Sequence, residues 1–293
     1  MYDSALLSHV DSWDEWKQSA GVPRFWRTSG HEGESMKRLR RIFRENGKTV
    51  IIAMDHGLGL NVNPALDDTE EKLRKIVAGG ADAVLLTYGI ASRFAHVLGD
   101  IGVILRIDGG YSALPSEATG HPRLLYSVED ALRLGADAVV LNGFPGTPSE
   151  QDCMKNVSEA VRQARVWGVP VMAEMLPGGF DKLVPHTPEN VRLAARVGCE
   201  YGANIIKTTF AGDKEQFRQV IDAAYQPVVV LGGPAANDLT SLFVCIEDAL
   251  SVGAAGVAIG RNVWNHEDPE AVVRALIELV HEDAKAEEAV RGL

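Results

Sequence analysis

The amino-acid sequence predicts a (β/α)8 barrel, a closed ring of eight parallel strands surrounded by helices. From residue 48 onward, short aliphatic runs alternate regularly with longer amphipathic stretches. There are eight such runs, which is the number that closes a parallel sheet into a barrel. The runs are hydrophobic almost throughout, as is typical of parallel strands covered on both faces. An open doubly wound sheet would alternate in the same way, but it rarely contains eight units.

The predicted strands lie at residues 49–54, 83–87, 103–107, 138–141, 169–175, 204–210, 227–231 and 256–259. The predicted helices lie at residues 68–78, 128–134, 149–167, 188–201, 213–224 and 239–252. Several helices begin with a capping signal, such as Thr187 before Pro188 at the first helical position. Several strands follow a glycine and a small residue, as in Gly135-Ala136, where glycine ends the preceding helix. Residues 48–293 are therefore predicted to form one barrel domain.

Residues 1–47 stand outside this alternation and are predicted to form an N-terminal extension. Aromatic residues are concentrated there, at Trp13, Trp16, Phe25 and Trp26, and basic residues follow them. We expect the extension to cover the bottom of the barrel or a subunit interface. A nucleic-acid-binding arm is the alternative interpretation, but a formal net charge of −11 disfavours it.

The composition excludes several classes of function. With 46% hydrophobic and 24% charged residues, the chain is typical of a globular protein with a substantial core. No apolar stretch reaches the length of a membrane span, and residues 1–16 lack the order of a signal peptide. The three cysteines, Cys153, Cys199 and Cys245, are too widely spaced for a disulfide framework or zinc site. We expect a cytoplasmic protein that binds neither nucleic acid nor membrane.

Lys207 lies within a predicted buried strand, in the β-branched run at residues 204–210. Burial disfavours the charged form of a lysine, and a neutral amine can attack a carbonyl to form a Schiff base. Active sites of this fold lie at the C-terminal ends of the strands, where Lys207 is placed. The alternative is a lysine that reaches solvent or pairs with a carboxylate.

Other polar residues gather at the predicted strand ends. Asp55 follows the first strand and is a candidate general base or a partner for a substrate hydroxyl. His56 is expected to point away from the site, because successive strand residues alternate in direction. Arg106 and Asp108 share one face of the third strand, where they could pair with each other or bind a substrate hydroxyl or carboxylate. Asn142 is a candidate hydrogen-bond donor to the substrate.

The ends of the last two strands predict a phosphate site. Gly232 and Gly233 end the seventh strand, and Gly260 and Arg261 end the eighth. Glycines let backbone N–H groups approach an anion, and these two loops commonly bind phosphate in this fold. Arg261 would add a charge-assisted contact. Alternatively, the glycines serve only the tight turns between strands and helices.

Four segments carry a resemblance to the DhnA-type class I aldolases: Ala-Met-Asp-His-Gly at 53–57, Asn-Ile-Ile-Lys-Thr at 204–208, Val-Leu-Gly-Gly-Pro at 230–234 and Gly-Val-Ala-Ile-Gly-Arg-Asn at 256–262. The resemblance spans residues 36–280. That family includes archaeal-type fructose-bisphosphate aldolases, an aminodideoxyheptulosonate synthase and the autoinducer-2 phosphate thiolase, and residues 38–56 resemble the thiolase branch somewhat more. The resemblance implies that Lys207 is the Schiff-base lysine, that Asp55 is an acid at the first strand, and that no cofactor is needed. It further implies that phosphate is bound by Gly232, Gly233, Gly260 and Arg261. A homo-oligomer is expected, as in several members of the family.

One position departs from the resembled family. The aldolases and the heptulosonate synthase carry a proton-transferring tyrosine after the fifth strand, and the matching residue here is Leu176. Glu174 lies two residues earlier on the same face and could replace it, because a carboxyl in an apolar barrel mouth can have a raised pKa. His186 is a second candidate. Glu174 could equally be a partner for Arg106 or Lys207.

The sequence thus predicts a metal-independent class I aldolase-type lyase that acts on a small phosphorylated keto-sugar-like substrate. Lys207 would form the imine, and Asp55 and Glu174 would handle protons. The strand ends contain no cluster of histidines with metal-ligand spacing. Two alternatives stay open: acyl transfer from a phosphorylated diketone to coenzyme A, and a non-catalytic sugar-phosphate-binding protein, which the loss of tyrosine at Leu176 would favour.

Overall fold

The computed structural model describes residues 34–58, 63–110, 112, 114, 121–233 and 239–293. Its strands are β1 (Thr49–Ala53), β2 (Ala83–Leu86), β3 (Gly102–Arg106), β4 (Asp108–Gly109), β5 (Arg123–Leu124), β6 (Ala138–Gly143), β7 (Val171–Met175), β8 (Ile205–Thr208), β9 (Val228–Leu231) and β10 (Gly256–Ile259). Eight of them form a closed parallel barrel in the order β1, β2, β3, β6, β7, β8, β9, β10, and β10 pairs back to β1. The predicted (β/α)8 barrel is confirmed.

The helices are α1 (Glu34–Leu39), α2 (Thr69–Ala78), α3 (Tyr88–Arg93), α4 (Ala95–Leu98), α5 (Val128–Arg133), α6 (Glu150–Trp167), α7 (Pro188–Glu200), α8 (Lys214–Ala223), α9 (Leu239–Ser251), α10 (Arg261–Trp264), α11 (Pro269–His281) and α12 (Ala286–Ala289). The Thr187 side chain accepts a hydrogen bond from the N–H of Asn190, as its predicted role as cap of α7 requires. Within the described ranges, no helix is long and apolar enough to cross a membrane.

The barrel interior is filled by aliphatic side chains, and the residues after α1 close its bottom. Leu39, Ile42 and Phe43 are buried in the same cluster as inward-facing residues such as Ile51 and Leu85. Residues 39–43, just before β1, therefore cover the barrel bottom. The aromatic residues of the predicted extension, at positions 13, 16, 25 and 26, lie outside the described residues. The division of the chain into residues 1–47 and 48–293 stays a prediction.

The barrel closes at a seam where β1 lies very close to β10. Gly256 pairs with Thr49, its φ is +130°, and a Cβ built on it would lie 2.0 Å from the Thr49 carbonyl oxygen. We expect Gly256→Ala to lower the free energy of unfolding by at least about 2 kcal/mol, because backbone strain and steric overlap add. Urea denaturation would measure this loss.

Gly80→Ala is the matched control for the seam. Gly80 also has a positive φ, +86°, but a Cβ built on it would meet no heavy atom within 4 Å. It is expected to lose only about 1 kcal/mol, the cost of backbone strain without overlap. Equal losses in the two variants would contradict the steric account of the seam.

Candidate active site

The register of the sheet brings three of the predicted residues side by side. Asn142 on β6 pairs with Glu174 on β7, and Glu174 pairs with Lys207 on β8. The Lys207 Nζ lies 3.0 Å from Glu174 Oε1, and both side chains are almost completely buried. Lys207 is therefore buried, as predicted, but it is also ion-paired. An ammonium group in such a pair becomes a nucleophile only after its proton is removed.

Arg106 is the centre of a buried polar network that joins four strand ends. Its Nε donates to Asp55 Oδ2 at 2.8 Å, and its Nη1 donates to Asp108 Oδ1 at 3.1 Å and to Asn142 Oδ1 at 3.0 Å. Its Nη2 donates to the second carboxylate oxygen of Glu174. Because one guanidinium binds all of these groups, their side chains are held in fixed relative positions.

Asp108 has a supporting position behind this network. It is fully buried, it is absent from the cavity lining, and its Oδ2 accepts a hydrogen bond of 2.7 Å from the backbone N–H of Asn142. Burial raises the pKa of its carboxyl, although Arg106 opposes this. Of the two predicted roles, pairing with Arg106 is the one observed, and direct contact with a substrate is not supported.

The two carboxylates nearest Lys207 are held ionised. Burial alone would raise the pKa of Asp55, but the charges of Arg106 and Lys207 outweigh it and lower that pKa to about 2. Burial would likewise raise the pKa of Glu174, and the charges of Lys207 and Arg106 lower it. The expectation of a raised pKa for Glu174 was wrong, because Glu174 pairs with both Arg106 and Lys207, the partners that the alternative interpretation named. Both side chains stabilise positive charge beside Lys207.

A cavity of about 420 Å³ opens at the C-terminal ends of the strands. Of the ten residues predicted for the site, all but Asp108 line it. They are Asp55, Arg106, Asn142, Glu174, Lys207, Gly232, Gly233, Gly260 and Arg261. The amine, its carboxylate partners and the glycine-rich strand ends thus face one common space, which can hold a small ligand in contact with all of them.

The predicted phosphate site is arranged around two glycine-rich turns. The Arg261 Nη2 donates to the Gly233 carbonyl oxygen at 2.8 Å, and its buried Nε has no hydrogen-bond partner within the described part of the chain. Gly233 has a φ of +64°, and a Cβ on Gly260 would lie 2.4 Å from the Ala53 carbonyl oxygen. The backbone conformation at Gly233 therefore favours glycine, and the close approach at Gly260 requires it. The turns place the guanidinium of Arg261 and closely packed backbone at the edge of the cavity. This arrangement suits an anionic group.

His56 was wrongly predicted to point away from the site, since it lines the cavity together with Asp55. The strand β1 ends at Ala53, so the alternation of side chains along a strand no longer applies two residues later. The loop after β7 also reaches the cavity, through Leu176 and His186, which were considered from the sequence. Three further residues of this loop line the cavity, and no periodicity or motif in the sequence indicated them: Phe180, Asp181 and Lys182.

The fold and the site together define a barrel with a buried lysine that faces the same cavity as two glycine-rich turns. The family model for DeoC/LacD aldolases matches residues 49–266. A 2-amino-3,7-dideoxy-D-threo-hept-6-ulosonate synthase of Halobacterium salinarum is 38% identical over 253 residues, which cover 86% of this chain and 94% of that protein. The chain belongs to the DeoC/LacD family of aldolases.

Solved structures agree with this assignment. The crystal structure of an archaeal fructose 1,6-bisphosphate aldolase is 32% identical, with a TM-score of 0.75, and the match covers 85% of this chain and 99% of that one. Another structure of an archaeal fructose-1,6-bisphosphate aldolase has its catalytic lysine covalently bound to the carbinolamine intermediate. It is also 32% identical, with a TM-score of 0.74 and coverage of 84% and 99%. The resemblance to class I aldolases and the predicted class of reaction, in which carbon–carbon bonds are made or broken, are confirmed.

Proposed function

We propose that the Nζ of Lys207 forms an imine with the carbonyl carbon of a phosphorylated keto sugar, and that a neighbouring carbon–carbon bond is then broken or formed. The observation that carries this proposal is the placement of Lys207, buried yet facing the same cavity as Arg261 and the glycine turns. A substrate whose phosphate lies against those turns can present its carbonyl to the amine. The relative that carries a lysine-bound carbinolamine supports the same role for Lys207.

The iminium that follows is a cation at the position of the present ammonium group. It acts as an electron sink: the electron pair of the breaking carbon–carbon bond forms the C=C bond of an enamine, and the π pair of the iminium moves onto nitrogen. Glu174 Oε1, 3.0 Å from Nζ, would balance the iminium charge. Asp55 is ionised and lines the same cavity, so it is our candidate to accept the proton of a substrate hydroxyl.

Glu174→Gln tests the proposed counter-charge. The substitution keeps the shape of the side chain but removes its charge, so turnover is expected to fall by about 10²- to 10³-fold, as when one preorganised electrostatic partner is lost. Steady-state rates with the identified substrate would measure this. Glu150→Gln, at an exposed residue that binds the Gly146 N–H, should leave the rate unchanged. An undiminished rate in Glu174→Gln would overturn the assigned role.

For the substrate, we infer a phosphorylated keto sugar similar to those of the named relatives. Fructose 1,6-bisphosphate is one candidate. Because Leu176 replaces the tyrosine of the resembled aldolases, other phosphorylated ketoses should be tested as well. We also propose a cytoplasmic homo-oligomer. The three cysteines, Cys153, Cys199 and Cys245, are free thiols, which suits a reducing compartment.

Borohydride trapping tests the proposal directly. The enzyme is incubated with fructose 1,6-bisphosphate, other ketose phosphates or a phosphorylated diketone, then reduced, and the labelled peptide is located by mass spectrometry. We expect one stable adduct, on Lys207. Thiol-dependent release of an acyl-coenzyme A would instead identify acyl transfer, and tight binding without label or turnover would identify a sugar-phosphate-binding protein.

A further inference from the structure

His56 has a fixed position in the cavity wall. Its ring packs edge-on against Trp264, with the ring centroids 5.2 Å apart and an interplanar angle of 80°. The Trp264 indole N–H in turn donates to the Ala53 carbonyl oxygen at 3.0 Å. The side chain of His56 is only 12% exposed. An imidazole held in this way has a defined orientation relative to the lysine and the glycine turns.

The ring of His56 is also free of hydrogen bonds within the described part of the chain. Its Nδ1 is buried without a partner and lies 3.8 Å from Asp55 Oδ1, which is too long for a hydrogen bond. A small movement would bring Nδ1–H onto this ionised carboxylate. Catalytic hydrogen bonds are often long in the absence of substrate and shorten when it binds. Such a contact would leave Nε2 as a base towards the cavity.

Burial and the individual charges around His56 act on its pKa in opposing directions. Burial is the largest influence and lowers its pKa below the ordinary value of 6.5. The positive charges of Lys207 and Arg261 lower it further, whereas Asp55 and Glu174 raise it. The carboxyls of Asp55, with a pKa of about 2, and of Glu174, with a lowered pKa, are ionised and line the same cavity.

His186 is less well placed for the same task. It lines the cavity and its pKa is also lowered, mainly by burial. The groups that act on it, however, belong to its own loop: the carbonyls of Gly179 and Pro177 and the charge of Lys182. The charge of Lys207 lowers the pKa of His56 and is not among the influences on the pKa of His186.

Building on the proposed imine at Lys207, we propose that His56 is a catalytic residue that relays the proton of imine formation through its Nε2. The neutral imidazole takes one proton from the ammonium group of Lys207. The free amine then adds to the carbonyl carbon, a C–N bond forms, and the carbonyl oxygen takes a second proton from nitrogen to become a hydroxyl. The imidazolium returns its proton to this hydroxyl, the C–O bond breaks, and water leaves as the nitrogen lone pair forms the iminium double bond. One ammonium and one carbonyl give one iminium and one water, so charge and protons balance.

The test measures the rate of imine formation rather than turnover alone. In His56→Gln, rapid mixing with substrate followed by borohydride quenching should give a trapping rate about 100-fold or more below wild type. Lys207 should still be labelled at long times. The wild-type rate is expected to fall as pH drops through the His56 pKa, below 6.5, because only the neutral ring accepts the proton. This acidic limb should be absent in His56→Gln.

A second variant separates proton transfer from packing. In His56→Ala, added imidazole should restore part of the trapping rate, whereas pyrazole, of the same shape but a much weaker base, should not. Equal rescue by both compounds would assign a purely structural role and overturn the proposal. His96→Gln, at a surface histidine that pairs with Glu70, should behave as wild type.

The result also separates this proposal from the proposed function. If the wild type gives a Lys207 adduct and His56→Gln forms it equally fast, the relay is wrong and the imine stands. If no substrate labels Lys207 in the wild type, the imine is wrong and the relay with it.

Discussion

Replacement of Lys207 by methionine is expected to lower turnover by at least about 10⁴-fold, because removal of a covalent nucleophile leaves only binding and electrostatic effects. The variant should still fold. Methionine has a similar length, and Arg106 continues to neutralise Glu174 through its own ion pair. Borohydride adducts should disappear together with turnover, while the glycine-rich turns that we propose as the phosphate site keep their affinity for the substrate.

Intact mass spectrometry and steady-state rates would measure both effects. Lys155→Met, at an exposed lysine on α6, is the matched control and should keep full labelling and full activity. More than a hundredth of wild-type turnover in Lys207→Met would contradict covalent catalysis by this residue.

Replacement of Arg106 by methionine is expected to lower the free energy of unfolding by about 3–5 kcal/mol. Arg106 is the shared cationic partner of Asp55, Asp108 and Glu174. Its loss would leave buried carboxylates without adequate compensation, which costs far more than the loss of an exposed pair. Urea denaturation at neutral pH would measure the change. Arg74→Met, which breaks an exposed pair with a helix neighbour, should leave the unfolding curve unchanged.

The effect of Arg106 should depend on pH in a defined direction. In the wild type the pKa of Asp55 is lowered from 3.8 to about 2. Its stabilising contribution is therefore fully present above pH 3.8 and is lost as pH falls towards 2. Glu174 acts in the same direction, and Asp108, whose pKa is raised by burial, acts in the opposite one. The difference in unfolding free energy between the wild type and Arg106→Met should narrow as pH falls below 3.8. A difference that widened would contradict the stabilisation of the buried carboxylates by Arg106.

Most of the fold was predictable because its signals are local and repeated. The eight barrel strands lie within two residues of their predicted positions, and the six predicted helices within one. Continuous apolar runs, capping residues and glycine turns each mark a boundary without knowledge of the rest of the chain. The short helices α3 and α4 and the hairpin of β4 with β5 were not predicted, because two to six residues are too few to establish a period. The helix α11 was also missed, although it is amphipathic and buries Val272 and Leu276.

Which residues line the cavity was more predictable than how their side chains are oriented and charged. Its residues lie at strand ends, and the closure of the barrel brings strand ends together whatever their side chains do. The direction in which each side chain points, and whether it is charged, depend on partners that are far apart in the sequence. Asp108 lies behind Arg106 because it pairs with Asn142, and Glu174 is ionised because two cations reach it from other strands. His56 faces the cavity because the strand has already ended.

The pairing of Lys207 with Glu174 has a consequence for the proposed covalent step. An iminium nitrogen carries the same unit of charge as the ammonium it replaces, so the anions around it experience an almost unchanged electrostatic environment before and after the bond forms. The surrounding dipoles and the Arg106 hydrogen bonds need not rearrange when the substrate becomes attached. The charges around Lys207 are thus already arranged for the proposed iminium before the substrate binds.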